Sequence, residues 1–127
     1  MENVELAEAL FAGFASGDES SVRKLCSPGL RAIQNHGKPL TLDTLLEFSL
    51  AVHGLVENFR YEDAIRNATA EGFVEEHSVR GTLPDGSELR LAACVVAVVE
   101  AGRITELREY FDGAAARGLA KALAPDR

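Results

Sequence analysis

The stretch FVEEHSVRGTLPDGSELRLAACVVAVVEAGRITELREYF, residues 73–111, decides the fold. Its apolar positions recur with period two over 73–83, 87–100 and 103–111, the spacing of half-buried strands. The separators Leu83-Pro84-Asp85-Gly86 and Glu100-Ala101-Gly102 are turn chemistry. Upstream, Phe59, Tyr61 and Ile65 alternate with Arg60, Glu62 and Arg66, and residues 67–72 form the next separator. Loops this short predict an antiparallel meander of four strands.

Before Gly54 the period is helical. Val4, Ala7, Leu10, Phe11 and Phe14 share one helix face, with Asn3 as N-cap and Gly17 as terminator. Asp18 caps a short second helix carrying Val22, Leu25 and Cys26, which Pro28-Gly29 ends. Residues 30–35 read as a short extended piece. Thr41 then caps a third helix whose apolar arc, with Leu42, Leu45, Leu46, Phe48 and Val52, is wide enough to imply deep burial. A last helix covers 114–123, and 125–127 reads as a frayed end. Helices first, then a long antiparallel sheet, then a closing helix predict an α+β fold: a cone-shaped curved antiparallel sheet wrapped around the amino-terminal helices.

A chain of 127 residues is one domain, 1–127, long enough to bury a core without a metal or disulfide staple. Twenty Asp and Glu against 13 Lys and Arg leave a net charge of −7, which repels nucleic acid and anionic lipid. The longest apolar run, 91–99, is far shorter than the ~18 residues of a membrane span. An acidic start through Glu8 lacks the positive charge of a signal peptide, so the cytoplasm is the expected location. Cys26 and Cys94, far apart and without His-spaced partners, read as core residues; no metal site and no cofactor is expected.

Alternation nominates what faces inward. Phe73, Glu75, His77 and Val79 form one set of their strand, and Thr105, Leu107, Glu109 and Phe111 form one set of the last, opposed by Ile104, Glu106, Arg108 and Tyr110. Glu75, His77 and Glu109 are thus candidates to converge in an apolar hollow, beside Tyr61 and Asp63 of the first long strand. A carboxyl and an imidazole out of water are the ingredients of general acid–base chemistry, because desolvation moves their proton affinities toward neutrality. The alternative is that Glu75 and His77 lie on a solvated face. The strand 89–99 is apolar on both faces, so Ala92, Cys94, Val96 and Val98 are expected to meet a second copy of the chain in a homodimer through the outer sheet face.

Helices followed by a meander ending in Gly102-Arg103-Ile104-Thr105-Glu106-Leu107-Arg108-Glu109-Tyr110-Phe111-Asp112 resemble the SnoaL-like, or nuclear transport factor 2-like, superfamily of cystatin-like fold. That superfamily includes ketosteroid isomerase, limonene-epoxide hydrolase and polyketide cyclases, and the resemblance implies a pocket enclosed by the cone. Leu107-Arg108-Glu109-Tyr110-Phe111-Asp112 is similar to the end of the last strand in limonene-epoxide hydrolase, whose water-activating aspartate falls on Glu109. The family's arginine and acid-donating aspartate fall on His77 and Val79, so the epoxide-protonating acid is missing. Its water-holding tyrosine and asparagine fall near 32–34, where no tyrosine stands. The base of ketosteroid isomerase falls on Gln34 and its oxyanion-hole tyrosine on Leu10, which excludes that mechanism as known.

The resulting expectation is a pocket protein acting on a hydrophobic small molecule as an acid–base isomerase, cyclase or hydrolase. Glu109 and His77 are its catalytic pair, and Tyr61, Asp63, Phe73, Glu75, Val79, Leu107 and Phe111 line its pocket. A non-catalytic ligand-binding module, or a dimerisation module of the same fold, is the alternative. His36 in a turn and His53 near a helix end are read as rim or solvent residues.

Overall fold

Helix α1, Asn3–Ser16, starts at a reciprocal cap in which Glu2 and Glu5 each accept from the other's backbone N–H. The N-cap is therefore Glu2 rather than Asn3, because the side chain three residues on is the one able to reach back. Gly17, at φ 69°, closes α1 in the left-handed conformation. Asp18 accepts from Ser21 N to start α2, Glu19–Leu25, and Thr41 accepts from Thr44 N to start α3, Leu42–Leu55. In this computed structural model, which describes residues 1–124, the strands are β1 Cys26–Gln34, β2 Glu57–Ala68, β3 Gly72–Thr82, β4 Glu88–Glu100 and β5 Arg103–Phe111. A short helix α4, Arg117–Leu123, ends the described part. It is shorter than the sequence suggests, since 114–116 form turns; residues 125–127 lie outside the described residues.

The strands make one curved, open sheet in the order β1-β5-β4-β3-β2. The meander β2 to β5 is antiparallel throughout, but β1 runs parallel to β5. The sheet is thus mixed rather than wholly antiparallel. A short loop forces its two strands to reverse, whereas no loop joins β1 to β5 and its direction is set only by the helices around it. Cys26 is buried and opens β1 instead of ending α2. Pro28 and Gly29 lie in the register gap between Cys26 and Arg31, where a missing N–H costs no ladder bond.

The antiparallel part of the sheet holds three single-residue bulges, near Asn58, at Asp63 and at Thr105, and the last two reverse expected faces. In β2, Glu62 pairs with Ser78 and Ile65 with Glu76, so three steps on β2 match two on β3. Asp63 takes φ 57° there, a conformation that Asp tolerates better than most residues. The extra residue inverts the alternation: Ile65 turns out to solvent, 56% exposed, and Arg66 turns in. In β5, Val98 pairs with Glu106 and Val99 with Ile104, making Thr105 the extra residue. Ile104, expected on the outer face, is consequently fully buried. The helices lie against this inner face, and Leu6, Leu10, Leu46, Phe73 and Ile104 form the centre of the core between them.

Candidate active site

One cross-strand row carries most of the polar groups on the inner face. Arg66 of β2 pairs with Glu75 of β3, Glu75 with Val95 of β4, Val95 with Glu109 of β5, and Glu109 with Gln34 of β1. The neighbouring row is His77, Ala93 and Phe111. Glu75 and Glu109 are therefore two strands apart, about 10 Å between backbones at ~4.8 Å per strand. Both face the helices, as alternation predicts.

Glu109 stands on the wall of a cavity of about 290 Å³. The volume is near the lower end of small-molecule pockets, roughly 300–1,000 Å³. The wall is built from every layer: Phe11 and Phe14 of α1, Val52 of α3, Tyr61, Val79 and Leu91 of the sheet, and Leu119 of α4. Glu109 is the only carboxylate among the lining residues. Gln34 Nε2 donates to its Oε1 at 3.2 Å. Burial pushes the Glu109 carboxyl above its ordinary value, while the nearby His77 and the Gln34 amide pull it partly back. A second chamber of about 50 Å³, lined in part by Val95, Leu107, Gln34 and Glu109, adjoins the first.

Tyr61 presents its ring to the cavity and packs edge-on against Phe11 and Phe59, each at 5.3 Å between centroids. Burial, reinforced by the charges of Glu109 and Glu75, raises its hydroxyl far above the ordinary value, so Tyr61 stays a phenol and a hydrogen-bond donor. His77 lies between Phe11 and Tyr61, with centroids at 4.7 and 4.5 Å. Its Nδ1 is 2.6 Å from Glu75 Oε2, and its Nε2 is buried with no hydrogen-bond partner among the described residues.

The structure thus brings Glu109, Tyr61, Val79 and Phe111 to the cavity and Leu107 to the smaller chamber. His77 joins Glu75 by a hydrogen bond rather than Glu109. Three residues expected on the wall are not there. Asp63 sits on the bulge with its side chain 81% exposed, because the left-handed backbone there aims it at solvent beside Arg80. Phe73 and Glu75 are fully buried behind the wall, where α1 covers that part of β3. Arg66 was not among the expected site residues, since simple alternation points it outward, and Asp63 beside Glu62 in a strand of mixed charge does not mark the bulge. The α3 and α4 residues of the wall, Val52 and Leu119 among them, were not among the expected lining residues either. His36 stacks at 5.2 Å on Tyr110 in an exposed turn, and the His53 ring packs against Gly17. Among the described residues no cluster of three His, Cys, Asp or Glu is placed to hold a metal ion, and no helix is long and apolar enough to cross a membrane.

No protein-family model matches the chain, and no curated protein matches it in sequence. Solved structures match along almost its whole length. A candidate polyketide cyclase from Pseudomonas putida superposes with a TM-score of 0.78 at 20% identity, over 98% of this chain and 99% of that one. An epoxide hydrolase of the limonene-epoxide hydrolase-like type from Mycobacterium tuberculosis gives 0.76 at 20% identity, over 95% and 91%. A protein of ketosteroid isomerase-like fold from Catenulispora acidiphila, in complex with trimethylamine, gives 0.77 at 13%, over 95% and 94%. The chain has the SnoaL-like, nuclear transport factor 2-like fold. Within that fold, Glu109 occupies the inward position near the end of the last strand, and Gln34 occupies its partner position on β1.

Proposed function

We propose that this protein is an acid–base enzyme, an isomerase, cyclase or hydrolase, that takes a hydrophobic small molecule into its cavity and moves protons with Glu109 and His77. The observation that carries the reading is Glu109 itself, the one carboxyl among the described residues of a mostly apolar wall. Burying it costs stability that no structural ion pair returns, since its hydrogen bond comes from a neutral amide. A carboxyl that burial makes a stronger base than an exposed one is better matched to taking a proton and returning it. Tyr61 supplies a phenol that stays protonated and can hold a substrate oxygen. Known enzymes of this fold, an epoxide hydrolase among them, support the reading.

Val79, on which the resemblance to limonene-epoxide hydrolase places the epoxide-protonating aspartate, lines the wall and has no proton to give, so the reading takes proton transfer beside a carbonyl over epoxide opening. The test uses cyclohexanone, small enough for the cavity, in heavy water. Exchange of its α-hydrogens, followed by proton NMR, is accelerated by the wild type and falls to background in Glu109→Gln and His77→Phe. Saturable binding of cyclohexanone without exchange would instead make the protein a ligand carrier.

The same reading includes a homodimer through the outer sheet face, supported by the continuous row Ala92, Cys94, Val96 and Val98 between the inward residues of β4. It also places the protein in the cytoplasm, whose reducing conditions suit two free cysteines.

A further inference from the structure

Beneath the cavity lies a carboxylate with no exposed surface at all. Both oxygens of Glu75 are taken: Oε1 accepts from Arg66 Nε at 2.5 Å and Oε2 faces His77 Nδ1 at 2.6 Å. A packed apolar side chain would serve stability as well as such a buried ion pair, so its presence calls for a different role. An ionised carboxylate can only accept, and Nδ1 must therefore carry the hydrogen that lies between them. In the neutral ring the lone pair then sits on Nε2, which is buried and unpartnered. A buried acceptor of this kind requires a donor. Across the sheet His77 stands opposite Ala93 of β4, and Ala93 opposite Phe111 of β5; Glu109 lies in the neighbouring row, near enough for the imidazole to pull its carboxyl down.

We infer that Arg66 is a positioning residue: through Glu75 it holds His77 as the Nδ1–H tautomer and so makes Nε2 the proton acceptor. The inference rests on the reading of Glu109 and His77 as proton carriers. The groups around His77 are few. Glu75 is on its own strand, Tyr61 and Arg66 come from β2, and Glu109 from β5; α1 offers the Phe11 ring and β4 the Ala93 methyl.

The arginine decides the direction of the proton. When Nε2 takes a proton from a substrate C–H or from the Glu109 carboxyl, the donor keeps the electron pair as its conjugate base. The imidazolium then holds two N–H bonds, with Nδ1–H still donated to anionic Glu75. The Arg66 guanidinium donates to Oε1 of Glu75, which leaves Oε2 as the acceptor that faces Nδ1. Without that charge, a carboxyl enclosed in the core is better off protonated. A protonated Glu75 donates to Nδ1, the ring hydrogen moves to Nε2, and the acceptor becomes a donor. The short run from Asp63 to Arg66 is what makes this possible, because without the bulge the guanidinium would face solvent.

Long-range 1H–15N spectra of protein labelled at histidine report the tautomer directly. In the wild type at neutral pH, His77 is expected to show a protonated Nδ1 and a bare, pyridine-like Nε2; the opposite pattern overturns the inference. Arg66→Lys should keep the wild-type pattern, and Arg66→Met should reverse it. Should Arg66→Met fail to fold, Glu75→Gln decides: Arg66 claims the amide oxygen, the amide NH2 turns to Nδ1, and the hydrogen is expected on Nε2. An unchanged Nδ1–H form in Glu75→Gln would overturn the assignment. Cyclohexanone exchange should fall about 100-fold in Glu75→Gln, the lower bound for loss of a general base, and return toward wild type in Arg66→Lys relative to Arg66→Met. A wild type with the expected tautomer but no exchange removes the proposed function and leaves the tautomer lock standing. Exchange with the opposite tautomer does the reverse.

Discussion

Arg66 and Glu75 sit opposite each other on neighbouring strands and face the core together only because one extra residue at Asp63 inverts the alternation between Tyr61 and Arg66. The guanidinium meets a carboxylate that has no exposed surface, and the carboxylate in turn fixes the His77 ring. One bulge on an edge strand thereby sets the contacts of a histidine on the next strand.

Removing either member of that pair leaves the other charge uncompensated. Arg66→Leu and Glu75→Leu are each expected to cost about 3–5 kcal/mol of unfolding free energy, and the double variant to recover most of it. Urea unfolding of the four proteins measures the coupling. Additive losses would mean that the ion pair is not the unit described.

Glu109 makes stability depend on pH in a set direction. Its folded pKa lies above the ordinary value of 4.5, so between the two the folded protein holds the proton more tightly than the unfolded chain does. Wild-type stability therefore falls as pH rises from 4.5 through the folded pKa, by about 1.4 kcal/mol for each unit between them. Glu109→Gln keeps the shape and loses the titration. Melting temperatures across pH should show the variant gaining on the wild type as pH rises, and parallel curves would contradict the burial of this carboxyl.

The bulge itself is open to test at Asp63, whose φ is 57° and whose side chain is in solvent. Asp63→Gly should be neutral or slightly stabilising, and Asp63→Val should cost about 1–2 kcal/mol, the strain of a branched residue in the left-handed region. Equal stability of the two variants in chemical unfolding would argue against the positive φ.

Leu91 lies on the cavity wall and is 6% exposed. Leu91→Trp should occupy the space, abolish cyclohexanone binding by NMR titration, and leave the circular dichroism of the fold intact. Binding that survives the substitution would locate the ligand elsewhere.

Val96 stands in the outer row between Cys94 and Val98, half-buried in a single chain. Val96→Asp is expected to convert a dimer to monomer in sedimentation velocity at micromolar concentration. A wild type that sediments as a monomer would remove the outer-face dimer.

Helix periodicity before Gly54, the caps at Asp18 and Thr41, and the turn Pro84-Asp85-Gly86 are local signals, and each led to the element found. So did the inward set of β3 and the inward Glu109. These were legible because a residue's own neighbours decide whether it is helical or extended, and in an unbroken strand the two-residue pleat decides its face. Ile65, Arg66 and Ile104 were illegible for the same reason turned round: one inserted residue reverses parity, and neither Asp63 nor Thr105 is unusual enough in sequence to announce it.

The sequence by itself determined an α+β cone with a carboxyl on its inner face, because patterning and turn chemistry act over a few residues. Tertiary structure alone decided that β1 runs parallel to β5, bringing Gln34 to Glu109, and that Arg66, Glu75 and His77 form one chain of contacts. It also decided that α1, α3 and α4 leave a cavity above them. Those pairings join residues up to 78 positions apart, Cys26 with Ile104. They depend on which strands find each other and in what register, a choice made by the packing of the whole core rather than by any one segment.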